Sequence, residues 1–477
     1  MPIRKLLVAN RGEIALRIFR ACRDERISAV AVVAPDDKSS LHARSANETI
    51  PIASYLEASD YVRAAGESGA DAVHPGYGFL AESAEFAEAV LDAGLRWVGP
   101  PAAALRAGGD KLAAKKTARD AEVPVLPSGS PEEVGYPLLV KAAAGGGGRG
   151  MRIVRAPAEL DDALEAARRE ALAAFGDDTV FCERYLERPR HVEIQLLADV
   201  HGTVVALGER ECSIQRRHQK LLEESPSTAV GPALRARMSD AAVAFARAIG
   251  YVSAGTAEFV LDGEAFFFLE LNARIQVEHP VTELVTGVDL VRAQLRIANG
   301  EPLSVEPLFD GHAVEARLYA EDPRTFLPQA GRIERLRLPS TVRVDAGVAE
   351  GDEVGTSYDP LLAKLISHAG TREAALDRLA EALRHTEVEG VTTNLPFLRW
   401  LVAHPVVRAG RTTTAFLTEH PPLSTPPERA PRSPWSGAWR LNLGAPPPQA
   451  APDVDGATPT RAMSGEQSAV TAPMPGT

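Results

Sequence analysis

An alternation in the first hundred residues limits the fold more than any other feature. Residues 5–9 form a short apolar run, and residues 14–26 carry apolar side chains at helical spacing (Ile14, Ile18, Ala21, Cys22). Residues 29–34 read as a buried strand, with shorter strand signals at 71–74 and 97–98. Strand, helix and strand at this pitch require crossover connections, and crossovers give a parallel, doubly wound sheet. The turn after the first run, Asn10-Arg11-Gly12-Glu13, holds one glycine. A dinucleotide fingerprint needs three, so NAD binding finds no support there.

Past residue 110 the pattern changes to strand pairs plus helices. From 316 to 440 the signals are strand-like segments at 332–338 and 342–344 and a helix over 372–385. From Pro421 onward, 13 of the last 57 residues are proline, which reads as linker. The chain therefore divides into an N-terminal domain (1–110), a central domain (111–315), a C-terminal α+β domain (316–440) and a Pro-rich linker (441–477). A length of 477 agrees with about three domains at roughly 150 residues each.

Composition excludes several function classes. A hydrophobic fraction of 45% with 24% charged residues is that of a globular chain. A net charge of −12 argues against a general nucleic-acid or anionic-membrane binder. Cys22, Cys182 and Cys212 are never spaced C-x-x-C, which suits a reducing cytoplasm and no structural zinc. Arg11, Glu13 and Arg17 interrupt any signal-peptide core, and apolar runs stay far below the roughly 18 residues of a spanning helix. The expectation is a soluble cytoplasmic protein without membrane or nucleic-acid partners. Basic residues are 44 Arg and only 8 Lys. Each remaining Lys is enriched for sites that need a compact ammonium and not a planar fork.

Three constellations carry chemistry. Lys141-Ala-Ala-Ala-Gly145-Gly-Gly147-Gly148-Arg149-Gly150 lies between strand-like runs at 137–140 and 151–154. Consecutive glycines let the backbone approach a phosphate and aim several N–H groups at it. A P-loop would continue into Lys-Ser/Thr and a helix; here an Arg and a strand follow. A flexible hairpin tip is the plain alternative, and Lys141 beside the loop favours a triphosphate.

The second constellation is a hairpin around Asp262-Gly263 with Glu258, Glu270 and Asn272. A three-residue loop, 262–264 with Gly263 left-handed, sets 258 opposite 268 and puts Glu258, Glu270 and Asn272 on one face. A two-residue loop at 262–263 leaves Glu270 on the other face. Glu270 sits in Phe-Phe-Phe-Leu-Glu-Leu, where an unpaired carboxylate is costly. Oxygen ligands at this spacing suit Mg²⁺ shared with substrate phosphates.

The third comprises Arg274-Ile-Gln276-Val277-Glu278-His279-Pro280 and Arg210-Glu-Cys-Ser-Ile-Gln215-Arg-Arg-His218-Gln-Lys220. Such charge runs are often solvated faces, but these adjoin the proposed metal hairpin, and Lys220 is one of the eight lysines. A cationic cluster beside a metal and a glycine-rich loop suits an anionic second substrate.

Together with Glu183-Arg184-Tyr185-Leu186, His191-Val-Glu-Ile-Gln, His74-Pro-Gly-Tyr77-Gly-Phe-Leu, Glu315-Ala-Arg317 and Ala320-Glu-Asp-Pro323, these motifs resemble biotin carboxylase, an ATP-grasp enzyme, over about residues 3–440. The resemblance implies an α/β fold, α+β in parts: a doubly wound N-terminal domain, an ATP-grasp body with a mobile lid at about 128–190, and a C-terminal α+β domain. It implies ATP contacts from Lys111, Lys141, Gly147, Gly148, Glu183, Arg184, Tyr185, Leu186, His191, Gln215, His218, Glu258 and Glu270. Many relatives carry Lys at the position of Arg184. Glu258, Glu270 and Asn272 match the family's Mg²⁺ or Mn²⁺ ligands. Lys220, Arg274, Gln276, Val277 and Glu278 match its bicarbonate site, and Tyr77 and Arg317 its biotin site. The chemistry implied is two-stage: Glu278 deprotonates bicarbonate, which attacks the γ-phosphate, and biotin then captures CO₂ from carboxyphosphate.

Residues 472–477 resemble the opening strand of a biotinyl carrier domain, and the last lysine is Lys364, so biotin is expected on another polypeptide or beyond this stretch. The resemblance further implies a carboxyltransferase partner, a shortened acyl-CoA carboxylase α subunit, and a homodimer. Two rivals remain: a catalytically silent scaffold relative, and another ATP-grasp ligase. The latter does not need Arg274, Gln276, Val277 and Glu278 together with Arg317.

Overall fold

The structure is a computed structural model that describes residues 2–143, 151–216 and 219–421. The expectations for Gly147, Gly148, His218 and the Pro-rich tail lie outside these residues. Strands β1 (Lys5–Val8), β2 (Ser28–Val33), β3 (Glu48–Pro51), β4 (Ala72–His74) and β5 (Arg96–Trp97) form a parallel sheet in the order β3-β2-β1-β4-β5. Leu6, Leu7 and Val8 of β1 are fully buried, as a central strand covered on both faces requires. The helix Gly12–Asp24 covers one side with Ile14, Ile18, Phe19 and Cys22. The doubly wound reading holds. β3 escapes the apolar pattern because it alternates half-buried and exposed residues and ends in proline, which an edge strand tolerates.

A second, antiparallel sheet comprises β6 (Ser128–Gly129), β7 (Leu138–Ala142), β8 (Arg152–Val154) and β9 (Val180–Arg184), in the order β6-β9-β7-β8. The helix Leu160–Phe175 packs on it through a small core of Leu138, Val140, Val154, Ala167 and Cys182. β7 and β8 pair from Leu138↔Val154 to Val140↔Arg152, so they flank the glycine-rich stretch as the sequence suggests.

The site rests on a third sheet. Its strands are β10 (Arg190–Ala198), β11 (Val204–Arg216), β12 (Gln219–Ser225), β13 (Ser253–Asp262), β14 (Ala265–Asn272) and β15 (His312–Tyr319), continued by C-terminal strands. The C-terminal strands are β16 (Gly331–Arg332), β17 (Arg335–Arg337), β18 (Arg343–Ala346), β19 (Glu353–Val354), β20 (Leu361–Ala369) and β21 (Glu387–Glu389), of which β18 and β20 extend this sheet. The eight-stranded order is β14-β13-β10-β11-β12-β15-β20-β18, while β16 pairs with β19 and β17 with β21.

Beyond β12 the two faces of this sheet differ in kind. Val314, Ala316, Leu318, Ala363 and Leu365 join the core of the helices Arg372–His385 and Leu395–Ala403, with Leu376, Leu379, Leu398 and Leu401. The alternate residues face the other way. Pairings Glu223↔Glu315, Arg317↔Lys364 and Asp345↔Lys364 put five buried charged side chains on one face. The helix His279–Thr286 covers part of that face, Val281 and Val285 meeting Ala313 and Ile366. Buried charges are costly unless paired, and their pairing leads into the site. Among the described residues no helix is long and apolar enough to cross a membrane.

Candidate active site

The hairpin β13–β14 corrects the sequence expectation. Asp262 pairs with Ala265, so the loop is the two residues Gly263 and Glu264, with Gly263 at φ +62°; it is not a three-residue loop over 262–264. Uninterrupted, that register would set Glu258 opposite Leu269. A bulge between the pairs Phe259↔Phe268 and Glu258↔Glu270 absorbs Leu269. The extra residue restores alternation, and Glu258 faces Glu270 directly while Asn272 pairs with Thr256. The shared face of Glu258, Glu270 and Asn272 therefore exists, by a different local route.

Glu258 is the better satisfied of the two carboxylates. His191 Nε2 lies 2.9 Å from its Oε2, and its Oε1 accepts from Lys220 Nζ (2.8 Å), Asn272 Nδ2 (2.8 Å) and Gln276 Nε2 (3.0 Å). Burial opposes its ionisation, but Lys220 and His191 prevail and hold the carboxyl below its usual range. Burial also works against the His191 imidazolium, yet Glu258 raises it above the ordinary value. Gln215 lies 3.3 Å from the other ring nitrogen of His191. Glu270 has no hydrogen bond or ion pair among the described residues, and burial together with the facing Glu258 raises its pKa. Two carboxylates and an amide oxygen form a hard oxygen set, and a divalent cation would relieve the repulsion between them. The residues fit Mg²⁺.

Lys220, on β12, is the centre of the cluster. Its ammonium lies 2.6 Å from Glu193, 2.8 Å from Glu258 and 2.6 Å from Glu278. Burial alone would deprotonate it, but the three carboxylates hold its pKa well above normal. Glu193 is anchored in turn by the fully buried Arg210, Nε to Oε1 at 2.5 Å.

Glu278 ends the segment after β14 and precedes the helix His279–Thr286. One oxygen meets Lys220 and the other meets Arg317 Nη2 at 2.9 Å. Burial raises its pKa less than Lys220, Arg317 and Arg210 lower it, so the carboxylate sits well below its usual range. Arg317 also reaches Glu223 through Nε at 2.6 Å. Arg274 spans Glu82 (Nε, 3.1 Å), Gln276 Oε1 (3.1 Å) and Asn272 Oδ1 (2.9 Å). Tyr77 donates to Glu13, and the field of Arg317 reaches its hydroxyl.

Beside His191 and Gln215, further sequence-derived nucleotide residues lie on β7, on β9 and at the start of the helix Lys111–Asp120. Lys141, on β7, pairs with Glu183 on β9, and Lys115 pairs with the second oxygen of Glu183. Lys111 begins the helix Lys111–Asp120, and its charge and that of Lys141 both act on Glu270. Arg184 and Tyr185 already donate their amides to the Pro127 and Pro137 carbonyls (2.9 and 3.2 Å). The Arg184 guanidinium bonds the Tyr136 carbonyl at 3.2 Å, so its side chain holds the local sheet.

Sequence reasoning gave no role to Glu82, Lys115, Glu193, Arg210, Glu223 or Glu315, although Glu193, Arg210 and Glu315 stand inside the motifs it quoted. Glu193 gives a signal, a carboxylate between Val192 and Ile194 in an apolar strand. Lys115 gives another, as one of the eight lysines.

Comparison with known proteins agrees with this geometry. Family models match in chain order: "Biotin carboxylase, N-terminal domain" over 2–105, "Carbamoyl-phosphate synthase L chain, ATP binding domain" over 110–306, and "Biotin carboxylase C-terminal domain" over 315–419. Biotin carboxylase of Halalkalibacterium halodurans is 46% identical over 446 residues, covering 88% of this chain and 99% of the relative. The mitochondrial methylcrotonoyl-CoA carboxylase subunit alpha of Arabidopsis thaliana is also 46% identical, but the match spans 88% of this chain and only 61% of that protein. The biotin carboxylase domain dimer of Hydrogenobacter thermophilus 2-oxoglutarate carboxylase, solved with MgADP, ADP and bicarbonate, superimposes with a TM-score of 0.86. It is 43% identical, covering 89% of this chain and 99% of that one. With the three models in order and near-complete coverage of a free-standing relative, the chain belongs to the biotin carboxylase family.

Proposed function

We propose that this chain catalyses ATP- and bicarbonate-dependent carboxylation of biotin presented by a carrier domain, as the first half-reaction of an acyl-CoA carboxylase. The observation that supports it most is the double engagement of Glu278, with Lys220 on one oxygen and Arg317 on the other. A base, an ammonium and a guanidinium thus converge where an anion has to be deprotonated and a second anion stabilised.

Lys220, Arg274, Gln276 and the Val277 backbone bind bicarbonate, and Glu278 takes its proton as general base. Lys111, Lys141 and His191 neutralise the triphosphate, with Glu183, Arg184, Tyr185 and Leu186 at the base. Glu258, Glu270 and Asn272 hold Mg²⁺ or Mn²⁺, which supplies charge neutralisation at the phosphates. Attack of bicarbonate on the γ-phosphate gives carboxyphosphate and ADP. Carboxyphosphate releases CO₂ and phosphate, phosphate takes the N1′ proton of biotin, and the resulting anion captures CO₂. Arg317 stabilises the negative ureido oxygen, and Tyr77 borders the biotin.

The same reading gives Glu278 a conditional basicity. Clamped by two cations it is a weak base, so bicarbonate has to draw Lys220 or Arg317 away before the proton moves. A homodimer, a carboxyltransferase partner and a separable carrier complete the assignment. The cytoplasm is the proposed location, in keeping with the buried free thiols of Cys22, Cys182 and Cys212. ADP release measured with and without bicarbonate, then with free biotin, tests the reading. Turnover should need bicarbonate and rise with biotin; indifference to both would exclude it.

A further inference from the structure

Lys364 has no task in this reaction, yet it is one of eight lysines among 44 arginines. Its side chain is completely buried on β20. Two oxygens meet its ammonium, the Val277 main-chain carbonyl at 2.8 Å and Glu13 Oε1 at 3.1 Å. Glu13 is itself buried, on the helix Gly12–Asp24, and accepts the Tyr77 hydroxyl. Across the sheet Lys364 stands opposite Arg317 on one side and Asp345 on the other.

Packing alone does not call for an ammonium here. Replacing a buried ion pair by apolar groups of similar volume is often neutral or stabilising. Nor does charge alone account for it, in a chain that uses Arg at most basic positions. A slender ammonium with three donors fits this fully buried place between two oxygens without the bulk of a planar guanidinium. The carbonyl it holds belongs to the residue between Gln276, whose amide donates to Glu258 at 3.0 Å, and Glu278. Fixing that carbonyl fixes the origin of both side chains.

We propose that Lys364 is a positioning residue: held by Glu13, it pins the Val277 carbonyl and so sets Glu278 between Lys220 and Arg317. The inference rests on the assignment of residues 274–278 to bicarbonate. Lys364 touches no reacting atom and acts through the backbone.

The test compares Lys364→Met, Glu13→Gln and Glu278→Gln in the full chain. Lys364→Met should raise the KM for bicarbonate by about tenfold or more, the scale for a small displacement of a catalytic group. The ATP formed into ADP per carboxybiotin should rise as well, while the KM for ATP moves by less than about threefold. A merely structural role would lower stability and active fraction and leave the bicarbonate KM unchanged, which overturns the proposal. If Lys364→Met does not fold, Glu13→Gln decides. It keeps the carbonyl bond but loosens its anchor, and should raise the bicarbonate KM by about threefold or more; an unchanged KM overturns the proposal. Glu278→Gln separates the two levels. If it retains bicarbonate-dependent ATP cleavage, the site assignment fails and the positioning role falls with it. If it is inactive while both other variants keep the wild-type KM, only the positioning role falls.

Discussion

Glu258 and Glu270 face each other across one hairpin, yet their surroundings set them apart. Glu258 has Lys220 and His191 as partners, whereas Glu270 faces a carboxylate and is held toward its neutral form. Glu270 is therefore the carboxylate of the pair that a bound cation would relieve most. Glu270→Gln should lower ATP turnover by at least about 10²-fold with an unchanged circular dichroism spectrum. Wild-type turnover in that variant would remove the metal assignment. Glu223 allows a test of the buried charges by pH. Burial is the main cause that pushes its carboxyl up to about 7, with Glu278 adding to it and Arg317 opposing. A carboxyl raised in the folded state favours its neutral form there. Its contribution to stability is full below the ordinary value of 4.5 and is lost as pH rises through about 7. Wild-type Tm should therefore fall more steeply between these two pH values than that of Glu223→Gln. Equal slopes would mean that Glu223 is already ionised in the fold.

At the scale of elements, the hairpin shows what the sequence reveals and where it stops. The apolar run and Asp262-Gly263 predict two strands and a tight turn, and the cost of an unpaired Glu270 points to a cation beside it. Neither predicts a bulge. An extra residue in one strand leaves no mark in apolar alternation, because Leu269 is as apolar as its neighbours, so a longer loop and a bulge bring the same face together. β3 was hidden for a different reason, since an exposed edge strand needs no apolar pattern. The helix Arg372–His385, by contrast, agrees to the residue with its periodicity. The site was legible wherever a motif is contiguous, as at 274–278. Glu223 joins it only through strand pairing, and the local windows of Glu193 and Arg210 show a buried carboxylate and a polar run but not that the two meet. The turn itself can be tested: no atom lies within 4 Å of a Cβ added at Gly263, so Gly263→Ala meets only the left-handed backbone cost. Its urea midpoint should correspond to a loss of about 1 kcal/mol, with ATP turnover unchanged. A loss of turnover would mean that the loop does more than close the hairpin.

For the whole molecule, one continuous sheet joins the two sides of the candidate site. Lys220 lies on β12 and Arg317 on the neighbouring β15, and the two strands pair through Leu222↔Ala316 and Glu223↔Glu315. The ATP-grasp body and the C-terminal part thus share a backbone ladder, and Glu278 bridges them by contacting both cations. The N-terminal part reaches the same place through Glu13 and Tyr77. If Glu278 activates bicarbonate and Arg317 serves the biotin anion, the two sides have to fail differently. Glu278→Ala should depress ADP release and carboxybiotin formation together, because without the base no carboxyphosphate forms. Arg317→Ala should depress carboxybiotin formation by about 10²–10³ more than bicarbonate-dependent ADP release, the scale for losing one oxyanion-type donor. Arg317→Ala also leaves Glu223 and Glu278 with one cation fewer, which raises the basicity of Glu278 and works against any loss in the first step. Measured side by side, equal losses in both assays for Arg317→Ala would place that guanidinium on the phosphate side of the reaction and reverse its assignment.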